Sequence, residues 1–307
     1  MREKEKTQIR QAFNSVKIEG ILRELRLEEK DDVISGEVVI ATDPQSEHGV
    51  RVYVKRLTND GKPNPAYKGL RTLIDDCKDT SIAALMKEGR SLDEATAMAT
   101  RIRIGGRSGG QLGRNEFYVG AEFVSRPSIS ANFFNRILDK SFSPKAEFEV
   151  ECYFEKIRKE IKDSEETGRL IIEAIIPCYN GVVIPMEFVA EGETADYIEQ
   201  NYEARRTGLI WGDVINVVDR VVVKKSGFGK DKEDVQTNFT REFLITGGNE
   251  GQYGEGDEKA YPTELIQAAW KVRESETLPA LLQKSKERDN AGNGGNKKGS
   301  KAPGFTY

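Results

Sequence analysis

The chain has 307 residues, 37% of them hydrophobic and 32% charged, with a formal net charge of −4 at pH 7. That length holds two ordinary domains, each with its own core. It contains no run of 18 apolar residues, which excludes a membrane-spanning helix, and its single histidine excludes most histidine-based catalysis and metal clusters. Cys77, Cys152 and Cys178 are an odd set without C-x-x-C spacing and read as reduced thiols. Residues 1–6 are charged, with no apolar stretch behind them, so a cytoplasmic protein without a secretory leader is expected.

Residues 1–15 read as an N-terminal arm. Over 16–27 apolar and polar residues alternate and then slip, which predicts a long curved strand bulged near Gly20. An acidic turn at 28–32 leads to a second strand over 33–42. A turn at 44–49 carries His48 as a solvated residue, and a third strand covers 50–56. The spacing then becomes helical across 67–98 (Leu70, Leu73, Ile74, Ile82, Leu85, Met86), with a second helix over 91–98 opened by the capping box Ser91 and Glu94. Strands resume at 100–104 and over 117–137, broken at Pro127. Three strands, a helical insertion and two strands are the order of the five-stranded OB barrel. An immunoglobulin-like sandwich would need about seven short strands and no central helix.

The pattern returns at a fixed offset of 132 residues. Phe148, Val150 and Ile157 stand where Val16, Ile18 and Leu25 stood; Arg158, Gly168 and Gly181 repeat Arg26, Gly36 and Gly49; Val182, Ile184 and Met186 repeat Val50, Val52 and Val54. The second copy is expected as strands over 146–162, 169–177 and 181–190, a helix over 194–202, and strands over 208–223 and 238–246. The fold class is therefore mainly β with helical insertions: two tandem OB-fold five-stranded barrels, over 16–140 and 146–248. A C-terminal helical segment and a flexible tail follow. Residues 249–289 are an acidic linker and a helix over 261–288, with apolar stripes (Leu265, Ile266, Ala269, Val272, then Leu278, Leu281, Leu282) separated at Pro279. Such a helix is marginal alone and is expected to dock. Residues 290–307 are a basic, glycine-rich tail.

The third strand carries the clearest chemistry. Val50, Val52 and Val54 share one face, and Arg51, Tyr53 and Lys55 share the other. Cations for phosphates and a ring for a base are what single-stranded nucleic acid needs. Arg101 and Arg103 alternate with Ile102 and Ile104, and Arg107 and Arg114 lie in the glycine-rich loop that follows, next to Phe117 and Tyr118. Between 99 and 136 there are six arginines against two acids. In the second copy the outward positions Val183, Pro185 and Glu187 are not basic, and Pro185 points to an edge or bulge. The assisting groups there are Lys224, Lys225, Phe228 and Lys230 in the last loop; Trp211 reads as core or interface. No P-loop, G-x-G-x-x-G or K-x-D-G motif is present, and the carboxylates Asp75, Asp76 and Asp79 read as a solvated helix face. No enzyme, cofactor or metal is expected.

Several segments carry a family resemblance: Val16 to Gly20, Tyr67 to Leu70, Ser125 to Pro127, Ala190 to Tyr197, Gly212 to Asn216 and Arg241 to Gly248. Over Val16 to about Gly248 the chain resembles the single-stranded DNA-binding proteins with tandem OB folds from phages and mobile elements of Gram-positive bacteria. The resemblance implies a non-catalytic role in phage DNA replication or recombination. Such a protein would coat single-stranded DNA in the host cytoplasm and meet replication or recombination proteins. One departure is the tail: Phe305 and Tyr307 give an apolar tip, but the residues before it are basic and not acidic. RNA stays open as the strand bound. The competing reading is a protein-interaction adaptor of a replisome or virion, without nucleic-acid affinity.

Overall fold

The computed structural model describes residues 9–58, 60–108, 116–119, 122–125, 129–137, 142–178, 181–225, 232–280 and 283. β1 (Asn14–Lys30) turns into β2 (Val33–Ala41) through Asp31 and Asp32, both left-handed at φ 52 and 60 as a type I′ hairpin turn requires. Next come β3 (Glu47–Lys55), three short helices α1 (Pro65–Cys77), α2 (Ile82–Lys87) and α3 (Leu92–Met98), and β4 (Arg101–Ser108). A small hairpin of β5 (Glu116–Val119) and β6 (Glu122–Ser125) precedes β7 (Ile129–Arg136). The far half of β1 pairs with β2 and the near half with β4. β7 pairs antiparallel with β4 and in parallel with β3. The ring β1-β2-β3-β7-β4 closes on β1, the connectivity of an OB barrel.

Local sequence explains the bends. β1 must curve to serve two neighbours, and its bulge lies between Leu22 and Glu24, just after the glycine that marked it. Gly20 permits the close approach: a Cβ there would stand 2.5 Å from the Ala41 carbonyl oxygen. The capping box at Ser91 and Glu94 forms in both directions. Val16, Ile18, Leu22, Ile34, Val38, Ile40, Val50, Val52, Val54, Ile102 and Ile104 fill the barrel, and α1 adds Leu70, Leu73 and Cys77.

The second copy repeats the ring with β8 (Lys145–Lys162), β9 (Glu165–Pro177), β10 (Val183–Ala190), α4 (Gly192–Asn201), β11 (Thr207–Lys225) and β12 (Lys232–Gly248). Its first turn, Asp163 and Ser164, is again left-handed, 132 residues after Asp31 and Asp32. Phe148 stands where Val16 stood and packs against Phe188 and Phe243, with centroids 5.4 and 5.2 Å apart. β11 and β12 form a hairpin longer than expected, with β12 starting at Lys232.

Three expectations are corrected. His48 is not in a solvated turn; β3 begins at Glu47, and the imidazole is 2% exposed with Nε2 3.0 Å from Thr42 Oγ1. Gly49 is a strand residue, not a turn residue. Pro279 does not end the C-terminal helix. α5 (Thr263–Val272) runs through a π-helical turn, Arg273–Thr277, into a helical stretch over 278–280. The wider π-turn lies where the proline ring would crowd the carbonyl four residues back. Leu281, Leu282 and the tail at 290–307 lie outside the described residues.

The two barrels join through their first strands. β1 pairs antiparallel with β8 over residues 14–19 and 145–150, with Val16 opposite Phe148. The N-terminal arm continues along the second barrel: Ala12 N–H donates to the Pro177 carbonyl at 2.8 Å, and Arg10 Nη1 meets Glu151 at 2.5 Å. A further bridge links Ser46 with Val217. No helix among the described residues is long and apolar enough to cross a membrane.

Candidate nucleic-acid interface

Among the described residues of the first barrel, the outer face of β3 carries the most exposed aromatic side chain. Alternation puts Val50, Val52 and Val54 inside and leaves Tyr53 65% exposed, with Lys55 exposed two positions on. Tyr53 lies opposite the small residue Ser35 on β2. Lys55 is held at the end of β3 by Asn64, whose Nδ2 donates to the Lys55 carbonyl at 2.9 Å and whose Oδ1 caps α1. Lys55 forms no ion pair with a described residue. Arg51 is described at the backbone only, where it pairs with Glu37 and with Ser130 of β7. Several neighbouring charges are compensated: Arg26 bonds Glu24 and Glu37, and Arg71 and Tyr67 of α1 both meet Glu29.

The β4 arginines do not share this face. β7 stands between β3 and β4, so Arg101 and Arg103 point away from a different side of the barrel. Arg103 Nε lies 2.8 Å from Glu19, which also binds Lys17 at 2.8 Å. Burial opposes the charged form of Glu19, but hydrogen bonds from Lys17 and Arg103 outweigh it and hold the carboxyl below its ordinary range. The Arg101 guanidinium lies 5.3 Å from the Phe142 ring centroid. With Arg136, which meets Asp76, three of the six arginines are thus engaged within the chain. Asp75 and Asp76 are likewise paired, with Arg71 and Arg136 at 3.5 Å.

Arg107 ends at the seam. With Gln11, Phe13, Asn14, Gly105 and Gly106 it lines a cleft of about 400 Å³ in which Phe13 is 51% exposed. Burial pushes the nearby Cys178 thiol up to about 11, and Arg107 pulls it the other way. Phe13 carried no signal in the sequence, because it precedes the first alternating run.

Phe117 and Tyr118 fall on β5, and Lys224 and Lys225 at the end of β11; all four are described at the backbone only. Arg114, Phe228 and Lys230, with Pro127, lie outside the described residues. The β11 hairpin crosses the turn before β3, where Val218 N–H donates to the Gln45 carbonyl at 2.8 Å. That bridge is antiparallel, so residues 218–225 run away from Tyr53. Trp211 is 41% exposed and lies against Gly247.

The chain matches the model of the family described as YorF over residues 12–281. No curated protein matches it. Among solved structures it is similar to the wild-type single-stranded DNA binding protein from Thermus aquaticus, at TM-score 0.43 and 11% identity, covering 82% of this chain and 98% of that one. A deletion mutant of the same protein gives TM-score 0.43 and 12% identity, over 83% and 98%. A Replication Protein A heterotrimer bound to ssDNA gives TM-score 0.17 and 8% identity, over 79% and 51%.

Proposed function

The chain belongs to the YorF family, and we propose that it is a non-enzymatic, sequence-tolerant binder of single-stranded DNA. The observation that carries this is Tyr53, a ring 65% exposed on the third strand of an OB-type barrel with Lys55 beside it. Stacking on such a ring is worth about 1–3 kcal/mol per base and does not depend on base identity. Lys55 and Arg51 neutralise phosphates on either side of Tyr53. Arg107, Phe117 and Tyr118, with the cations Lys224 and Lys225 on the long hairpin, are assigned to contacts beyond the β3 face. Arg101 and Arg103 contribute less, since their charges are engaged within the barrel. The modules we assign to 16–140 and 146–248 then serve phage DNA replication or recombination in the host cytoplasm.

The test is fluorescence anisotropy of a labelled oligo-dT of about 30 nucleotides against a matching duplex at two salt concentrations. Tight binding to the single strand that weakens steeply with salt is the expected result. An oligo-U of the same length decides between DNA and RNA. No binding at low salt would overturn the proposal in favour of an adaptor that binds protein.

A further inference from the structure

We infer that the outer face of the second barrel is an interaction surface whose occupant is the chain's own C-terminal helix, leaving the first barrel alone to offer a sheet face to single strand. The inference rests on the reading just given for Tyr53. The residue 132 positions beyond Tyr53 is Pro185. The two hold the same place: Tyr53 lies opposite Ser35 on the second strand of its barrel, and Pro185 opposite Ile175 on the second strand of its own.

Their surroundings are opposite. Tyr153, Ile175 and Pro185 make one row across β8, β9 and β10. All three are buried, Tyr153 to 1% and Ile175 to 5% exposure. The cover is α5. At its start the Tyr153 hydroxyl donates to Thr263 Oγ1 at 3.1 Å; at its end Arg273, 2% exposed, donates from Nη1 to the Val183 carbonyl at 3.1 Å. Ile266 and Ala269 are buried between these anchors. Ten residues of helix span about 15 Å, and β8 to β10 is about 10 Å across two strand spacings, so one helix spans all three strands.

This is a built cover and not a gate over a dormant site. The face below is apolar, with no lysine or arginine in the row and its one ring, Tyr153, already bonded. The outside of the cover is acidic: Glu264, Glu274 and Glu276 are exposed against Lys271, and Glu250, Glu255, Asp257 and Glu258 precede them against Lys259. A phosphate backbone is repelled from that surface.

The chain has two tryptophans, Trp211 and Trp270, and Trp270 lies on α5 with Nε1 2.9 Å from Glu274. Full-length Trp211→Phe therefore carries one reporter, on the cover. Labelled oligo-dT is titrated while anisotropy and Trp270 emission are followed together. The expected result is saturable binding with unchanged Trp270 emission, and an affinity that stops rising with length within the roughly 4–16 nucleotides one OB barrel spans. Emission that shifts in step with anisotropy, with affinity still climbing at twice that length, would overturn the inference while leaving single-strand binding intact. Absence of any anisotropy change removes the function proposed for Tyr53, and this inference with it. Ile266→Asp, which forces a charge under the helix, is expected to gain no affinity for oligo-dT; a tenfold gain would also overturn the cover as permanent.

Discussion

Tyr53 and Pro185 occupy the same place in two barrels of one connectivity, yet one side chain meets solvent and the other lies under a helix. The inward positions between them hardly differ in kind: Val50, Val52 and Val54 in one copy, Ile184 and Met186 in the other, all buried. A barrel constrains every second residue of a strand and leaves the alternate ones free. The fold is thus written on one face of β3 and β10, and the use of the fold on the other.

The sharpest way to separate the copies acts at their shared seam. Phe148 and Val16 are counterparts by offset and face each other, but Phe148 also packs edge-on against Phe243. Phe148→Ala is expected to cost about 3–5 kcal/mol and Val16→Ala about half of that, by urea unfolding. Equal losses would break the picture of Phe148 as the centre of an aromatic cluster in the second barrel.

Acid sensitivity comes next and belongs to the first barrel. Burial lowers the pKa of His48 from 6.5 to about 4, so below pH 6.5 the unfolded chain takes up a proton that the folded chain refuses. Stability is full above about 6.5 and declines as pH falls toward 4, by up to roughly 3 kcal/mol. Since His48 is the single histidine, His48→Gln should flatten the stability profile between pH 6.5 and 4. A profile unchanged by that substitution would show that the imidazole is not what the pH acts on.

Binding effects are smaller. Tyr53→Ala is expected to lose about 1–3 kcal/mol of oligo-dT affinity with no change in melting temperature, since the ring is exposed. Glu187→Ala, at an exposed position of β10, should change neither. Smallest is the salt dependence: Lys55→Ala should lower the slope of log affinity against log salt by about 0.7, one phosphate contact. Arg103→Ala should leave that slope unmoved because Glu19 already holds its charge. A slope that drops for Arg103 and not for Lys55 would place the strand on β4.

Much of this was legible beforehand, because it depends on neighbours in sequence. The repeat, the strand order, the capping box at Ser91 and the alternation that exposes Tyr53 are all local patterns. What was hidden depends on distant partners. Arg103 looked free because Glu19 lies 84 residues away, and only the β1–β4 pairing brings them together. His48 looked solvated because Pro44 and Gly49 suggested a loop, whereas β3 starts early, buries the ring and brings Nε2 to Thr42. The stripe of Ile266 and Ala269 announced a docking helix, but no residue in it names the face it covers.

The seam at β1 and β8 has a consequence of its own. Asn14 meets Val150 and Ile18 meets Ala146, while Val150 stands 132 residues beyond Ile18 and Ala146 stands 132 beyond Asn14. Each residue thus faces its partner's counterpart, the rule of a two-fold symmetric dimer, here satisfied within one chain. In a dimer of separate identical chains every substitution is made twice, and the two outer faces must stay alike. Sharing a chain lifts that restriction: the contact keeps its symmetry while each half changes alone, and a tail can fold over one half without covering the other.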